Sequence, residues 1–179
     1  MNVIGIAGKA GSGKKTVAGI LAGLLLEQGQ IVTLDAFGVG VKAEARRRGW
    51  NGLKDDPGRE FLQQLGAEMR GRNNNYWIQS LVWRMLAGNQ AIADYIVVPD
   101  VQFKTEAEFC RSSGVLWFVT GRGGLPGTAG RDASEMEVDE IERLPTDTEI
   151  VNNGALDELV ALVKLAVRDG RHERTASAE

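Results

Sequence analysis

The stretch Val3-Ile4-Gly5-Ile6-Ala7-Gly8-Lys9-Ala10-Gly11-Ser12-Gly13-Lys14-Lys15-Thr16 carries the reading from which the rest of the chain can be worked out. Its first five residues are a short apolar run that breaks into glycines and lysines. From Thr16 to Gln28, Val17, Ile20, Leu21, Leu24 and Leu25 then recur at helical spacing. The pattern is strand, tight loop, helix. Gly8 to Lys14 fits G-x-x-x-x-G-K, the phosphate-binding loop. Small residues are needed there because the backbone must wrap a phosphate with its N–H groups pointing inward, while the helix N-terminus adds partial positive charge. Lys14 would reach the β- and γ-phosphates of a donor as a point charge, with Gly8, Gly11, Ser12, Gly13, Lys15 and Thr16 lining the same loop.

Outward from this stretch, strands and helices alternate. Gly29 stops the first helix, and Ile31 to Leu34 is a second strand ending at Asp35. Residues 41–48 read as a short basic helix, Gly49 to Gly58 as a loop, and 58–70 and 75–87 as two further helices. Ala91 to Val98 is an apolar run interrupted only by Asp94 that stops at Pro99-Asp100, as suits a strand buried on both faces of a parallel sheet. Glu106 to Ser112 reads as helix, Val115 to Val119 as the fourth strand, Glu149 to Val151 as the fifth, and Leu156 to Val167 as a final amphipathic helix. The expected fold is α/β, a five-stranded parallel sheet flanked by helices with right-handed crossovers. It forms one domain over 1–170, and the tail 171–179 is expected to fray.

Composition narrows the chemistry. The chain has 179 residues, 43% apolar and 25% charged, which excludes a disordered or fibrous class. A single cysteine, Cys110, and a single histidine, His172, leave no parts for a disulfide scaffold, a His/Cys metal cluster or a Ser-His-Asp triad. Cys110 reads as a packing residue. The net charge of −3 argues against a nucleic-acid binder, yet it sums a basic middle and an acidic end. Residues 41–84 hold nine Lys/Arg against five Asp/Glu, and residues 131–179 hold six against thirteen. Lys42, Arg59, Arg70 and Arg72 in the basic stretch are candidate ligands for an anionic substrate. No apolar run reaches the length of a membrane span, and the N-terminus lacks the basic start and long apolar stretch of a leader, so a cytoplasmic protein is expected.

Lys15 departs from the usual pattern, since a Ser or Thr hydroxyl normally binds Mg²⁺ at that place and an ammonium has no lone pair to give. Thr16 is the nearest hydroxyl, one helical step on. Asp100, delivered by the apolar strand before it, is the carboxylate expected to hold the metal, with Thr16 as a second ligand. Gly121 to Gly130, flanked by Arg122 and Arg131, suits a lid over about 121–135 that brings cations to developing charge. Asn152 and Asn153 follow the last strand, where a donor ring would sit. Asp35 lies at the carboxyl edge of the sheet, where open sheets bind ligands. Trp77 suits base stacking or, at helical spacing with Leu81, the core.

Beyond these motifs the chain resembles the phage-type deoxynucleoside monophosphate kinases, a branch of the P-loop kinases. Ser12-Gly13-Lys14-Lys15-Thr16-Val17-Ala18 is similar to the family's S-G-K-D-T-V-A, with Lys15 for Asp. Phe37 with Lys42, Gly49-Trp50-Asn51-Gly52, Gly58-Arg59, Leu62-Gln63-Gln64-Leu65-Gly66 and Tyr76-Trp77-Ile78 resemble its F-A-D-P-L-K, G-W-D-G, R-x-L-L-Q-x-L-G and Y-W-V elements. Pro99-Asp100-Val101-Gln102-Phe103, Glu106-Ala107-Glu108, Ser134-Glu135 and Ile150-Val151-Asn152-Asn153-Gly154 resemble P-D-V-R-F, E-A-E, S-E and I-I-N-N-G, collinear from about residue 3 to 165. The resemblance implies a P-loop NTPase three-layer sandwich with a helical acceptor-binding insertion over about 41–88. It also implies ATP and Mg²⁺ as cofactors, transfer of the γ-phosphoryl to a deoxynucleoside 5′-monophosphate, and a homodimer. Asp35, Lys42, Arg59, Gln64, Arg70, Arg72, Trp77 and Gln102 fall in its acceptor region, and Lys14, Asp100, Arg122 and Arg131 in its catalytic positions. Val39, Gln102 and Asp132 depart from its Asp, Arg and His. The same residues also suit a dephospho-coenzyme A or phosphomevalonate type of kinase, or a degenerate ATP-binding module.

Overall fold

Strand β1 (Asn2–Ala7) is apolar on both faces, so it must be covered on both, and it lies at the centre of the sheet. A computed structural model of the chain describes residues 1–87, 92–122 and 137–173. After β1 come α1 (Lys14–Glu27), β2 (Val32–Leu34), α2 (Phe37–Arg47), α3 (Asp56–Arg72), α4 (Tyr76–Leu86), β3 (Tyr95–Val101), α5 (Lys104–Ser113), β4 (Gly114–Gly121), β5 (Thr148–Asn152) and α6 (Leu156–Arg168). The strands pair in the order β2-β3-β1-β4-β5, all parallel, as the alternation requires. The chain divides into two compact units, Met1–Leu34 with Ile92–Glu179, and Asp35–Ala91.

In the sheet unit, Ile4, Ile6, Val97, Trp117, Val119 and Ile150 point to one face and are buried with Val17, Leu21 and Leu25 of α1 and Leu159 and Val163 of α6. On the other face α5 approaches so closely that a Cβ on Gly5 would strike Cys110 Sγ. Cys110 is a packing residue, as expected, and burial pushes its thiol pKa up, aided by the charges of Glu106 and Asp100. Glu106 accepts from the backbone N–H of Gln102 at 2.9 Å and of Phe103 at 3.3 Å, capping α5. At the amino edge of the sheet Arg111 holds Asp147 through two bonds of 2.6 and 3.0 Å. Of the tail expected to fray, Arg171 accepts from Trp117 Nε1 at 2.9 Å and His172 is buried; residues 174–179 lie outside the described residues.

Two elements differ from expectation. Strand β3 starts at Tyr95 rather than Ala91 and runs through Pro99 and Asp100. Asp94 sets its start, because its carboxylate takes the N–H of Ile31 at 2.8 Å and its carbonyl takes that of Asn2 at 2.7 Å. Pro99 is tolerated because the β1–β3 register slips between Gly5 and Ala7, and proline is at home in a bulge. Helix α2 begins at Phe37, four residues earlier than the basic stretch, despite Gly38 and Gly40. A side chain at Gly40 would collide with Ser80 Oγ and crowd Arg84, so tertiary packing overrides glycine's poor helix propensity.

Candidate phosphate site and the basic helical unit

The glycines of the loop are demanded by what lies around it. Gly8, at φ +147°, leaves no room for a Cβ beside the carbonyl oxygen of Val119, and Gly13, at φ +99°, none beside Asn152 Nδ2. The loop is thus seated on the ends of β4 and β5. Asn152, buried, donates through Nδ2 to Ser12 O at 2.8 Å. A Ser12 N–H bond to Lys9 O at 3.1 Å closes the turn. Helix α1 then starts with no side-chain cap and no acidic residue in its first turn, so its first N–H groups have no acceptor within the helix. Lys14 Nζ donates to the carbonyl oxygens of Gly8 and, at 2.8 Å, of Lys9. Ser12 Oγ is buried without a partner among the described residues. Oriented amides, a positive helix end and a lysine held over the loop are what a phosphate needs.

Beside the loop lies a cavity of about 270 Å³, lined by Lys9, Ser12, Thr120, Arg122, Asp139 and Arg143 among others. Lys9 pairs with Asp139 at 2.9 Å, and Arg143 with Glu149 at 2.8 Å. Arg122 is exposed; its N–H bonds Asn152 O at 3.0 Å and its Nη2 bonds Gly154 O at 2.7 Å, tying the ends of β4 and β5 together. Of the two residues expected at the donor ring, Asn152 is buried and holds the loop through Nδ2, and Asn153 is exposed. Half-buried Asp100 emerges at the β3 slip next to the end of β1, where a bulge can re-aim a side chain.

For Mg²⁺ the donor set fits on one side only. Asp100 offers the single carboxylate that Mg²⁺ commonly takes alongside substrate phosphates. Lys15 offers nothing, Thr16 is exposed one residue further round α1, and no group of three His, Cys, Asp or Glu among the described residues could hold a metal alone. Arg131 and most of the expected lid lie outside the described residues, as do Asp132, Ser134 and Glu135.

In the helical unit the residues expected to meet an acceptor have varied fates. Asp35 is buried and does not stand open to a ligand: Arg84 Nε and Nη2 hold its two oxygens at 3.0 Å each. The same guanidinium donates to Ala36 O, Ser80 O and Ser80 Oγ at 2.8 to 3.0 Å, so its donors are used up. Sequence reasoning missed Arg84, whose partner is 49 residues away. Trp77 cannot stack on a base; it is 2% exposed, donates through Nε1 to Gly66 O at 3.1 Å and meets Tyr76 edge to face. Arg72 pairs with Glu68 at 2.7 Å, exposed Gln64 bonds Glu60 at 3.1 Å, and Arg59 Nε bonds Lys54 O at 3.0 Å. Lys42, Arg70 and, in the sheet unit, Gln102 are half-buried. Trp50 Nε1 bonds Leu53 O at 2.9 Å, and Asn51 accepts from Leu53 N–H at 2.9 Å, so Gly49-Trp50-Asn51-Gly52 closes a loop on itself. Several elements of the resemblance therefore have packing roles.

No family model matches the chain, and no curated protein sequence matches it. Solved structures do. A sugar kinase from Janibacter sp. HTCC2649 is 18% identical over 96% of this chain and 98% of its own, with a TM-score of 0.50. A shikimate kinase from Aquifex aeolicus vf5 is 14% identical over 94% of this chain and 97% of its own, also with a TM-score of 0.50. With its five-stranded parallel sheet, flanking helices and glycine loop between β1 and α1, the chain shares the fold of these two kinases.

Proposed function

We propose that this chain is a kinase that transfers the γ-phosphoryl of ATP to a deoxynucleoside 5′-monophosphate, giving the diphosphate. The observation that carries the donor half is the uncapped start of α1 behind the Gly8–Gly13 loop, with Lys14 poised on loop carbonyls and Ser12 Oγ unspent. Phosphoryl transfer asks for positioning and charge neutralisation more than covalent chemistry. Lys14 exchanges its two carbonyl oxygens for donor phosphate oxygens, the loop amides hold the remainder, and Arg122 meets charge that develops on the transferred group. Mg²⁺, held by Asp100 and the donor phosphates, would neutralise part of the donor's charge.

The acceptor half is supported by the collinear resemblance and by the basic character of the helical unit, with Lys42, Arg59 and Arg70 as its ligands. Locked Arg84 and buried Trp77 are not among them. The test is ADP release with ATP and a panel of acceptors, namely dGMP, dTMP, dCMP, a simple sugar and shikimate. Stimulation by at least one deoxynucleotide and by neither of the others is expected. Turnover with shikimate or the sugar alone would replace the acceptor and keep the kinase. ATP binding without stimulation by any acceptor would leave a nucleotide-binding module.

A further inference from the structure

Resting on that donor reading, Lys15 is the residue the reading does not absorb. Two successive lysines open α1, and no acidic residue stands in its first turn. Cations are unfavourable at a helix N-terminus, where the macrodipole is positive. Lys14 offsets this through Gly8 and Lys9 carbonyls, but exposed Lys15 has no ion pair or side-chain hydrogen bond among the described residues. A hydroxyl that helps hold Mg²⁺ normally stands at its position, next to the donor phosphates.

A triphosphate without its metal carries more negative charge than its Mg²⁺ complex, so an extra fixed cation at this place favours the metal-free form more. We propose that Lys15 is a built-in counter-cation for the donor phosphates, so that the loop binds the metal-free nucleoside triphosphate about as well as the Mg²⁺ complex. The charge that opposes α1 in the free protein is then balanced when the anion arrives.

Titration calorimetry of the full chain with ATP, once in excess Mg²⁺ and once in EDTA, tests this. The parent should bind in EDTA within about threefold of its affinity in Mg²⁺, and Lys15→Ser should lose about tenfold in EDTA and much less in Mg²⁺. Lys15→Arg should keep the metal-free binding. Without nucleotide, Lys15→Ser should melt no lower than the parent, a result that a merely structural lysine would not give. Binding by the parent only in Mg²⁺, or equal losses for Lys15→Ser in both media, overturns the proposal and leaves the donor site standing. Absence of ATP binding by the parent in both media overturns the donor reading itself, and this inference with it.

Discussion

At the start of α1, Lys14 rests on two backbone carbonyls and Lys15 on nothing described, while Arg48, Arg72 and Arg84 of the helical unit each hold a carboxylate within 3.0 Å. Both regions are rich in cations, yet one keeps its charge available and the other has spent much of it. Glu44 and Glu68 clasp Arg48 so closely that, led by the hydrogen bond it donates to Glu44, its pKa rises above its ordinary value. A count of basic residues therefore overstates what the helical unit can offer an anion. The loop has fewer cations, and although Lys9 there pairs with Asp139, Lys14 rests on carbonyl oxygens rather than on an acid, next to the N–H groups that open α1.

The largest expected effect is at the loop. Lys14→Ala removes the point charge that the donor phosphates would meet, and kcat/KM should fall on the order of 10²-fold, as for loss of one charge-stabilising donor. Stability should be nearly unchanged, since the bonds given up are to carbonyls at a partly exposed turn. Retention of parental activity would break the contrast between the two regions. Next is Arg84→Ala, which takes from buried Asp35 the guanidinium that holds both of its oxygens. The cost should be about 2 kcal/mol in urea unfolding, on the low side for a buried pair because a quarter of the Arg84 side chain is exposed. A change under about 0.5 kcal/mol would mean that Asp35 is not dependent on Arg84 and is open to a ligand after all.

Much of the site was legible because its signals are local. A five-residue apolar run followed by glycines at fixed spacing can be read without knowing the rest of the chain, and so can the apolar run that leads into Asp100. What escaped depends on distant partners. Nothing near Arg84 marks it, since its carboxylate lies at the end of β2 and its remaining acceptors come from Ser80 and Ala36. Helix α2 was misplaced because Gly38 and Gly40 argue against a helix locally, while contact with α4 requires a small residue there. The place of Asn152 at the end of β5 suggests a ligand, whereas the bond from its Nδ2 to Ser12 O, 140 residues away, has no local signal.

Asn152 gives the next test. Asn152→Ala removes the bond that seats the loop on β5 and leaves Ser12 O without its donor, at a cost of about 1–2 kcal/mol in stability. Because the strut acts on the loop and not on the nucleotide, ATP affinity should fall only severalfold, far less than for Lys14→Ala. An affinity loss as great as that of Lys14→Ala, with unchanged stability, would return Asn152 to the nucleotide.

The smallest effect should come from Arg72, and it sharpens the comparison most. Its guanidinium lies 2.7 Å from Glu68, four residues earlier on α3, and the two side chains are 67% and 40% exposed. Such a pair contributes no more than about 0.5 kcal/mol, so Arg72→Ala should leave the melting temperature almost where it was. Glu68 already opposes its charge, so the acceptor KM should also move by less than about twofold, since a ligand gains little from a cation whose field is cancelled nearby. Arg70, half-buried across Gly66, is the proposed acceptor ligand on the same helix, and Arg70→Ala should raise the acceptor KM about tenfold. If the two variants exchange these outcomes, Arg72 must leave Glu68 to meet the acceptor, and charge in the helical unit is then held in reserve as it is at the loop.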